Sequence, residues 1–188
     1  MEEDVEGSLI REVALGDRVA FAHLVERTRA PLYRYLRTLT RGEAAEDALQ
    51  ETMIGVWRSA GTYQGTAPGR VWLYGLARRQ AARTWRRRSG EPDATEPLDE
   101  NLGRDAGFGA DPEAAVAALE DRARLDRALE RLSETDREIV LLRDGEGFTG
   151  PEVAELLGIP LAAAKTRLHR ARLRLMAELR SEGGDHGA

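Results

Sequence analysis

Residues 148 to 179 read FTGPEVAELLGIPLAAAKTRLHRARLRLMAEL, and this stretch predicts two helices joined by a tight turn. Pro151 suits the first turn of a helix, where a missing N–H costs nothing, and Val153, Ala154, Leu156 and Leu157 supply an apolar side. Gly158 closes that helix, Ile159 plugs the corner, and Pro160 opens a second, longer helix. At about 100° per residue, Ala164, Leu168, Ala171 and Leu175 share one stripe. Ala162, Thr166 and His169 point the opposite way, flanked by Lys165 and Arg170. From Lys165 to Arg180 six cations stand against Glu178, a local net charge of +5. This is the pattern of a helix-turn-helix with a wet, basic face suited to duplex DNA. A merely solvated helical hairpin would show a similar alternation, so the rest of the chain has to decide.

The 188 residues suit one large or two small domains, and 41% hydrophobic with 32% charged residues describes a foldable, soluble chain. No apolar run approaches the length of a membrane span, and the acidic start MEEDVEGS lacks a signal-peptide core, so a cytoplasmic protein without membrane insertion is expected. Zero cysteines exclude disulfides and thiol chemistry, and three scattered histidines give no basis for a metal site. No cofactor and no small-molecule substrate are indicated. The net charge of −5 is unevenly spread: residues 1 to 88 carry +4, residues 89 to 120 carry −8, and residues 121 to 188 carry −1. Two arms, each with a local basic helix, therefore flank an acidic middle.

Leu9, Ile10, Val13 and Ala14 predict a short helix after a frayed acidic start, ended by Gly16. Asp17 can cap a second helix carrying Phe21, Leu24 and Val25, and Pro31 is expected to begin a third with Leu32, Tyr33, Leu36 and Leu39 turned inward. From about Glu43 to Arg58, Ala48, Leu49, Thr52, Met53, Val56 and Trp57 fall on one face, and Glu43, Glu46, Asp47, Gln50, Glu51 and Arg58 lie mostly outside it. The early carboxylates favour the positive end of the helix dipole, and no nucleophile or ligand set accompanies them to suggest catalysis.

A Gly-rich loop, SAGTYQGTAPG from Ser59 to Gly69, follows. Behind it RVWLYGLARRQAARTWRRR, residues 70 to 88, holds seven arginines and no acid, with Trp72, Tyr74 and Trp85 interleaved. Arginines attract phosphates and aromatic faces stack on unpaired bases. Trp72 reads better as core, together with Val71, Leu76 and Ala77, while Tyr63, in the loop, has the better claim to a base. Residues 89 to 115, rich in Pro, Gly and acid, read as a flexible linker. Val116 to Leu132 predicts a helix, Ser133 caps the next, and Asp136 at its third position resembles a capping box with Asp for Glu. The last residues, 183 to 188, read as a disordered tail.

Four segments in this order resemble the group IV, extracytoplasmic-function sigma factors of bacteria: LVERTRAPLYRYLRTLTR, AEDALQETMIGVWR, VWLYGLARRQAARTWRRR, and LSETDREIVLLRDGEGFTGPEVAELLGIPLAAAKTRLHRARLRL. The resemblance implies an all-α fold of two small domains, sigma-2 over residues 1 to 88 and sigma-4 over 116 to 182, joined by the acidic linker. It implies no enzymatic activity. The expected partners are core RNA polymerase, promoter DNA and an anti-sigma factor. Asp47, Leu49, Gln50, Glu51 and Met53 match the segment that docks on the polymerase β′ clamp helices. Tyr63, Gln64, Arg70, Trp72, Arg78, Arg79, Arg83 and Arg86 match the region that captures a flipped base and holds the melted minus-10 strand. Ala162, Ala163, Lys165, Thr166, Arg167, His169 and Arg170 match the minus-35 reading face, and the helices before the turn match those docking on the β flap.

Two departures bear on promoter choice. Relatives usually show Gly-Thr-Val-Lys-Ser-Arg where this chain has Ala162 to Arg167, so a threonine hydroxyl is missing at Ala163. Arg79 stands where the family often has Asn. Leu173, on the wet side of the recognition helix, is a candidate anti-sigma contact. Two other classes remain open at this point: a stand-alone helix-turn-helix regulator binding duplex DNA without polymerase, and a small hydrolase using the carboxylates between residues 43 and 51.

Overall fold

The computed structural model describes residues 4–40, 44–88 and 112–183, and the side chains of these except at 85–88, 112–119 and 182–183. Among the described residues the chain is helical and without strands, in two compact units, Met1–Leu102 and Gly103–Ala188. Glu43, most of the 89–115 segment and most of the tail lie outside the described residues.

The first unit contains α1 (Val5–Ala14), α2 (Arg18–Thr40), α3 (Ala45–Ser59), a 3₁₀ turn (Ala60–Thr62) and α4 (Gly69–Arg88). Asp17 caps α2 as expected, its Oδ1 accepting the N–H of Val19 at 2.7 Å and of Ala20 at 3.1 Å. Pro31 does not start a new helix; α2 runs straight through it. Proline inside a helix costs about 3 kcal/mol. Leu24, Thr28, Leu32, Tyr35 and Leu36 are buried along one continuous stripe across that proline, and breaking the helix would put its two halves out of phase. Tyr35, outside the expected inward set, is fully buried against Tyr74 of α4, with ring centroids 4.9 Å apart. Tyr74 is therefore a packing residue and not a surface for bases. On α3, Trp57 does not share the burial of Ala48, Leu49, Thr52 and Val56 on its face: it is 40% exposed, its ring edge-on to Phe21.

The start of α1 is not frayed. Asp4 caps it by accepting the N–H of Gly7 at 3.0 Å, and the same carboxylate accepts the N–H of Gly69, the first residue of α4, at 3.0 Å. The two helices touch backbone to backbone here. A Cβ on Gly69 would lie 2.2 Å from the Gly7 nitrogen, and one on Gly7 would lie 2.1 Å from Asp4 Oδ2. Two glycines thus make room for one carboxylate to serve two helix N-termini.

The second unit contains α5 (Pro112–Glu130), α6 (Glu134–Val140), a π-turn (Leu141–Gly145), α7 (Gly150–Leu157) and α8 (Leu161–Gly183). Helix α5 starts at Pro112, four residues before the expected Val116, because Pro is well tolerated at a first helical position. Arg137 closes its far end, donating to the carbonyls of Leu129 and Glu130, both at 2.8 Å. Ser133 caps α6, its Oγ accepting the N–H of Asp136 at 3.2 Å. The other half of the expected capping box is replaced: the Asp136 carboxylate turns to Arg174 on α8. In the π-turn the N–H of Glu146 reaches back five residues to Leu141 O at 2.8 Å. Phe148, almost fully buried, follows, and Arg143 Nη1 donates to its carbonyl at 2.9 Å.

Candidate nucleic-acid interfaces

Helix α7 opens with a complete capping box: Thr149 Oγ1 accepts the N–H of Glu152 at 3.4 Å, and Glu152 Oε2 accepts that of Thr149 at 2.6 Å. The spacing Thr-x-x-Glu is the sequence signature of such a box, but this cap was missed in the sequence. Gly158, left-handed at φ 66°, ends α7, and Ile159 N–H bonds Ala154 O at 3.0 Å. Pro160 supplies the carbonyl that receives the N–H of Ala164 at 3.0 Å, so α8 starts immediately. Ala164 and Ala171 are buried under this corner, their missing bulk letting α8 lie close to its neighbours.

On the opposite side Ala162, Ala163, Lys165, Thr166, Arg167, His169 and Arg170 are all exposed, the face expected from the 3.6-residue repeat. The charge on it is smaller than the tally of +5. Arg172 grips Asp144 of the π-turn with two donors, one of them Nε to Oδ2 at 2.9 Å, and Arg174 pairs with Asp136. These two arginines brace α8 against α6 and the turn. Lys165, Arg167 and Arg170 make no ion pair among the described residues and remain available to phosphate or base edges. The Thr166 hydroxyl donates back to Ala162 O at 3.0 Å. A cleft of about 680 Å³ runs beside this helix, with Ser133, Asp136, Thr166, Arg167, Arg170 and Arg174 among its walls.

In the first unit the sequence-derived strand site divides. Gln64 is exposed in the loop, and Arg78, Arg79 and Arg83 are exposed on α4; Arg70 is half-buried, and the Arg86 side chain lies outside the described residues. Tyr63 is not a free loop aromatic. Its single O–H proton is shared between two acceptors, Asp4 Oδ2 at 3.0 Å and Ala67 O at 2.9 Å, and its ring leans on Trp72 with centroids 5.8 Å apart. Burial first, then the bond to Asp4 and that residue's charge, push the Tyr63 pKa up to about 12, against a smaller opposing effect of Arg11. Trp72 is half-buried beside it, not in the core, which Leu73 and Leu76 occupy. Asp4 was missed because an acidic chain start gives no sequence signal for a contact 65 residues away.

On α3, Asp47, Gln50 and Glu51 are exposed and Met53 is half-exposed. Leu49 is only 3% exposed; it seats the helix and leaves the polar residues outward, and cannot itself meet a partner. Among the described residues no group of His, Cys, Asp and Glu is arranged to hold a metal ion, and no helix is long and apolar enough to cross a membrane.

The first unit's basic helix and the second unit's helix-turn-helix both fall within known family patterns. Residues 24–91 match Sigma-70 region 2, and residues 122–175 match Sigma-70 region 4. The chain belongs to the extracytoplasmic-function sigma factors. It is 32% identical to the RNA polymerase sigma factor NccH of Alcaligenes xylosoxydans xylosoxydans, over 96% of this chain and 97% of that one. It is 33% identical to the sigma factor SigM of Mycobacterium tuberculosis, over 92% and 84% of the two chains. The structure of CnrH in complex with the cytosolic domain of CnrY superposes with a TM-score of 0.69 at 25% identity, covering 94% of this chain and 98% of that one. The sigma factor RpoE bound to the anti-sigma factor NepR from Bartonella quintana shares the fold, with a TM-score of 0.66 at 22% identity over 85% and 96%. Sigma factors are non-enzymatic initiation subunits of RNA polymerase. Membership favours a polymerase-associated sigma factor over the stand-alone regulator.

Proposed function

We propose that this sigma factor divides promoter binding between its units: α8 reads the minus-35 duplex while α4 and the 63–69 loop take the melted minus-10 strand. The observation that carries the reading is the state of the α8 cations. Of the arginines on that helix, Arg172 and Arg174 are consumed by structural pairs, whereas Lys165, Arg167 and Arg170 stand unpaired on the exposed face beside His169. Held apart on one side they suit a phosphate-lined major groove.

Asp47, Gln50, Glu51 and Met53 form the polymerase-docking face, and Trp57 extends it. Counting 100° per residue, Trp57 lies within about 40° of both Gln50 and Met53. An exposed tryptophan beside polar groups is a typical interface anchor. In this reading Tyr63 shapes the loop from behind and does not stack on the captured base, and Trp72 supports Tyr63. The protein carries no catalytic activity and works in the cytoplasm with core polymerase and promoter DNA.

Regulation by an anti-sigma factor is supported by the structural relatives solved with such partners. Leu173, half-exposed, and Met176 one turn on give α8 an apolar spot for that contact. Leu173→Glu is expected to release the chain from a co-purifying anti-sigma protein while promoter-dependent transcription persists; unchanged retention refutes the contact. The division of labour itself is tested by footprinting the holoenzyme on a mapped promoter. Lys165→Ala with Arg170→Ala should erase upstream protection only, and loss confined to the melted region refutes it.

A further inference from the structure

Helix α1 has two stripes. Ile10 and Val13 are buried in the core of the first unit. Asp4, Gly7 and Arg11, spaced three and then four residues apart, run along a second stripe that faces the loop. Asp4 holds Tyr63 and Gly69, Gly7 abuts Gly69, and Arg11 reaches Gly65: its Nη1 lies 3.4 Å from where a Cβ on Gly65 would stand. Gly65 is left-handed at φ 69° and leaves that space open, with Gln64, Gly65 and Thr66 exposed around it. Arg11 is itself exposed and has no ion pair among the described residues. The exposed Arg79 and Arg83 of α4 lie roughly 15 and 21 Å along the helix from Gly69, at 1.5 Å per residue, so they do not serve the loop.

We propose that Arg11 is a nucleic-acid contact of the strand site, presented by α1 over Gly65 to bind a phosphate of the unpaired strand whose base enters the 63–69 loop. The inference rests on the strand-capture reading of that loop. A guanidinium is the side chain suited to this: planar, always charged, and able to give two parallel donors to phosphate oxygens. The backbone that carries it is anchored, because α1 cannot slide on the loop without breaking the Asp4 bonds or driving the Gly7 and Gly69 backbones together. The Asp4 carboxylate in this loop is already taken up by the N–H groups of Gly7 and Gly69 and by the Tyr63 hydroxyl, so among the described residues Arg11 is left as an unpaired cation beside Gly65.

The test uses the full chain and a 5′-fluorescein-labelled single-stranded DNA 20-mer of randomised sequence, with binding read by anisotropy between 50 and 200 mM salt. Each phosphate contact to a single strand contributes about 0.7 to the salt slope. Arg11→Ala is expected to weaken binding about three- to tenfold and lower the slope by about 0.7, with Arg11→Lys retaining most of the slope and circular dichroism unchanged. Arg122→Ala, on α5, makes the same change in net charge and should leave the slope alone. Equal slope losses for Arg11→Ala and Arg122→Ala, or none for Arg11→Ala while Arg79→Ala with Arg83→Ala weakens binding, overturn the role of Arg11 and leave the strand reading standing. No binding by the unmodified chain, or no response to any of these variants, overturns the strand reading itself.

Discussion

Replacing Asp4 tests whether one carboxylate holds the 63–69 loop of the first unit in place. In Asp4→Ala the N-termini of α1 and α4 each lose a side-chain acceptor, at Gly7 and Gly69. A lost N-terminal cap costs about 1 kcal/mol. The Tyr63 O–H turns wholly to Ala67 O and loses its share of the charged Asp4 acceptor, for roughly another 1 kcal/mol. The total of about 3 kcal/mol is a large part of the stability of a domain this size. Asp4→Asn should behave differently. Its Oδ1 can still accept from both Gly7 and Gly69, and its amide can donate to the Tyr63 oxygen while that hydroxyl donates to Ala67 O. The expected cost is below about 1 kcal/mol. The three tryptophans, Trp57, Trp72 and Trp85, all precede residue 102, so tryptophan fluorescence reports unfolding of the first unit in the intact chain. At about 4–8 °C per kcal/mol for a domain of this size, Asp4→Ala should lower its Tm by roughly 12–24 °C and Asp4→Asn by a third of that or less. A drop under about 3 °C for Asp4→Ala, or equal losses for the two variants, refutes the shared-cap argument.

Other consequences follow from the same geometry. Arg170→Ala should leave the fold intact and lower the salt slope of minus-35 duplex binding by about 0.9, read by gel shift at several salt concentrations, if the contact is to phosphate. Gln50→Ala with Glu51→Ala should weaken binding to core polymerase about tenfold without altering circular dichroism; unchanged binding removes the docking role of α3. Because the folded-state pKa of Tyr63 is raised to about 12 from 10, its contribution to stability is complete below pH 10 and is lost as pH rises through 12. Tyr63→Phe should therefore flatten the loss of first-unit stability over that interval in urea titrations, and identical pH profiles would contradict the burial of the hydroxyl.

The helix-turn-helix was legible because its signals are local. Pro151, Gly158 and Pro160 each constrain their own backbone, and the stripe of Ala164, Leu168 and Ala171 repeats within one helix. Ser133 and Asp17 were legible as caps for the same reason. Pro31 misled because its local cost was weighed without the burial of Leu24, Leu32 and Leu36 on a single stripe, a tertiary effect. The π-turn after α6 depends on how Phe148 and Arg143 fit beside it, which no repeat announces. The charge count on α8 overstated the free cations because Asp136 and Asp144, which take up two arginines, lie 38 and 28 residues away. Tyr63 was placed in the right loop but with the wrong freedom, since its partner Asp4 is 59 residues distant.

The central claim is that the two units act together to place and open a promoter for RNA polymerase. Transcription in vitro with purified bacterial core polymerase, this chain and genomic DNA, followed by mapping of transcript 5′ ends, tests it most directly. Core-dependent transcripts whose starts share one upstream pair of elements are predicted, with loss of activity in Lys165→Ala with Arg170→Ala. No chain-dependent transcript, together with no binding of the chain to core polymerase, would contradict it.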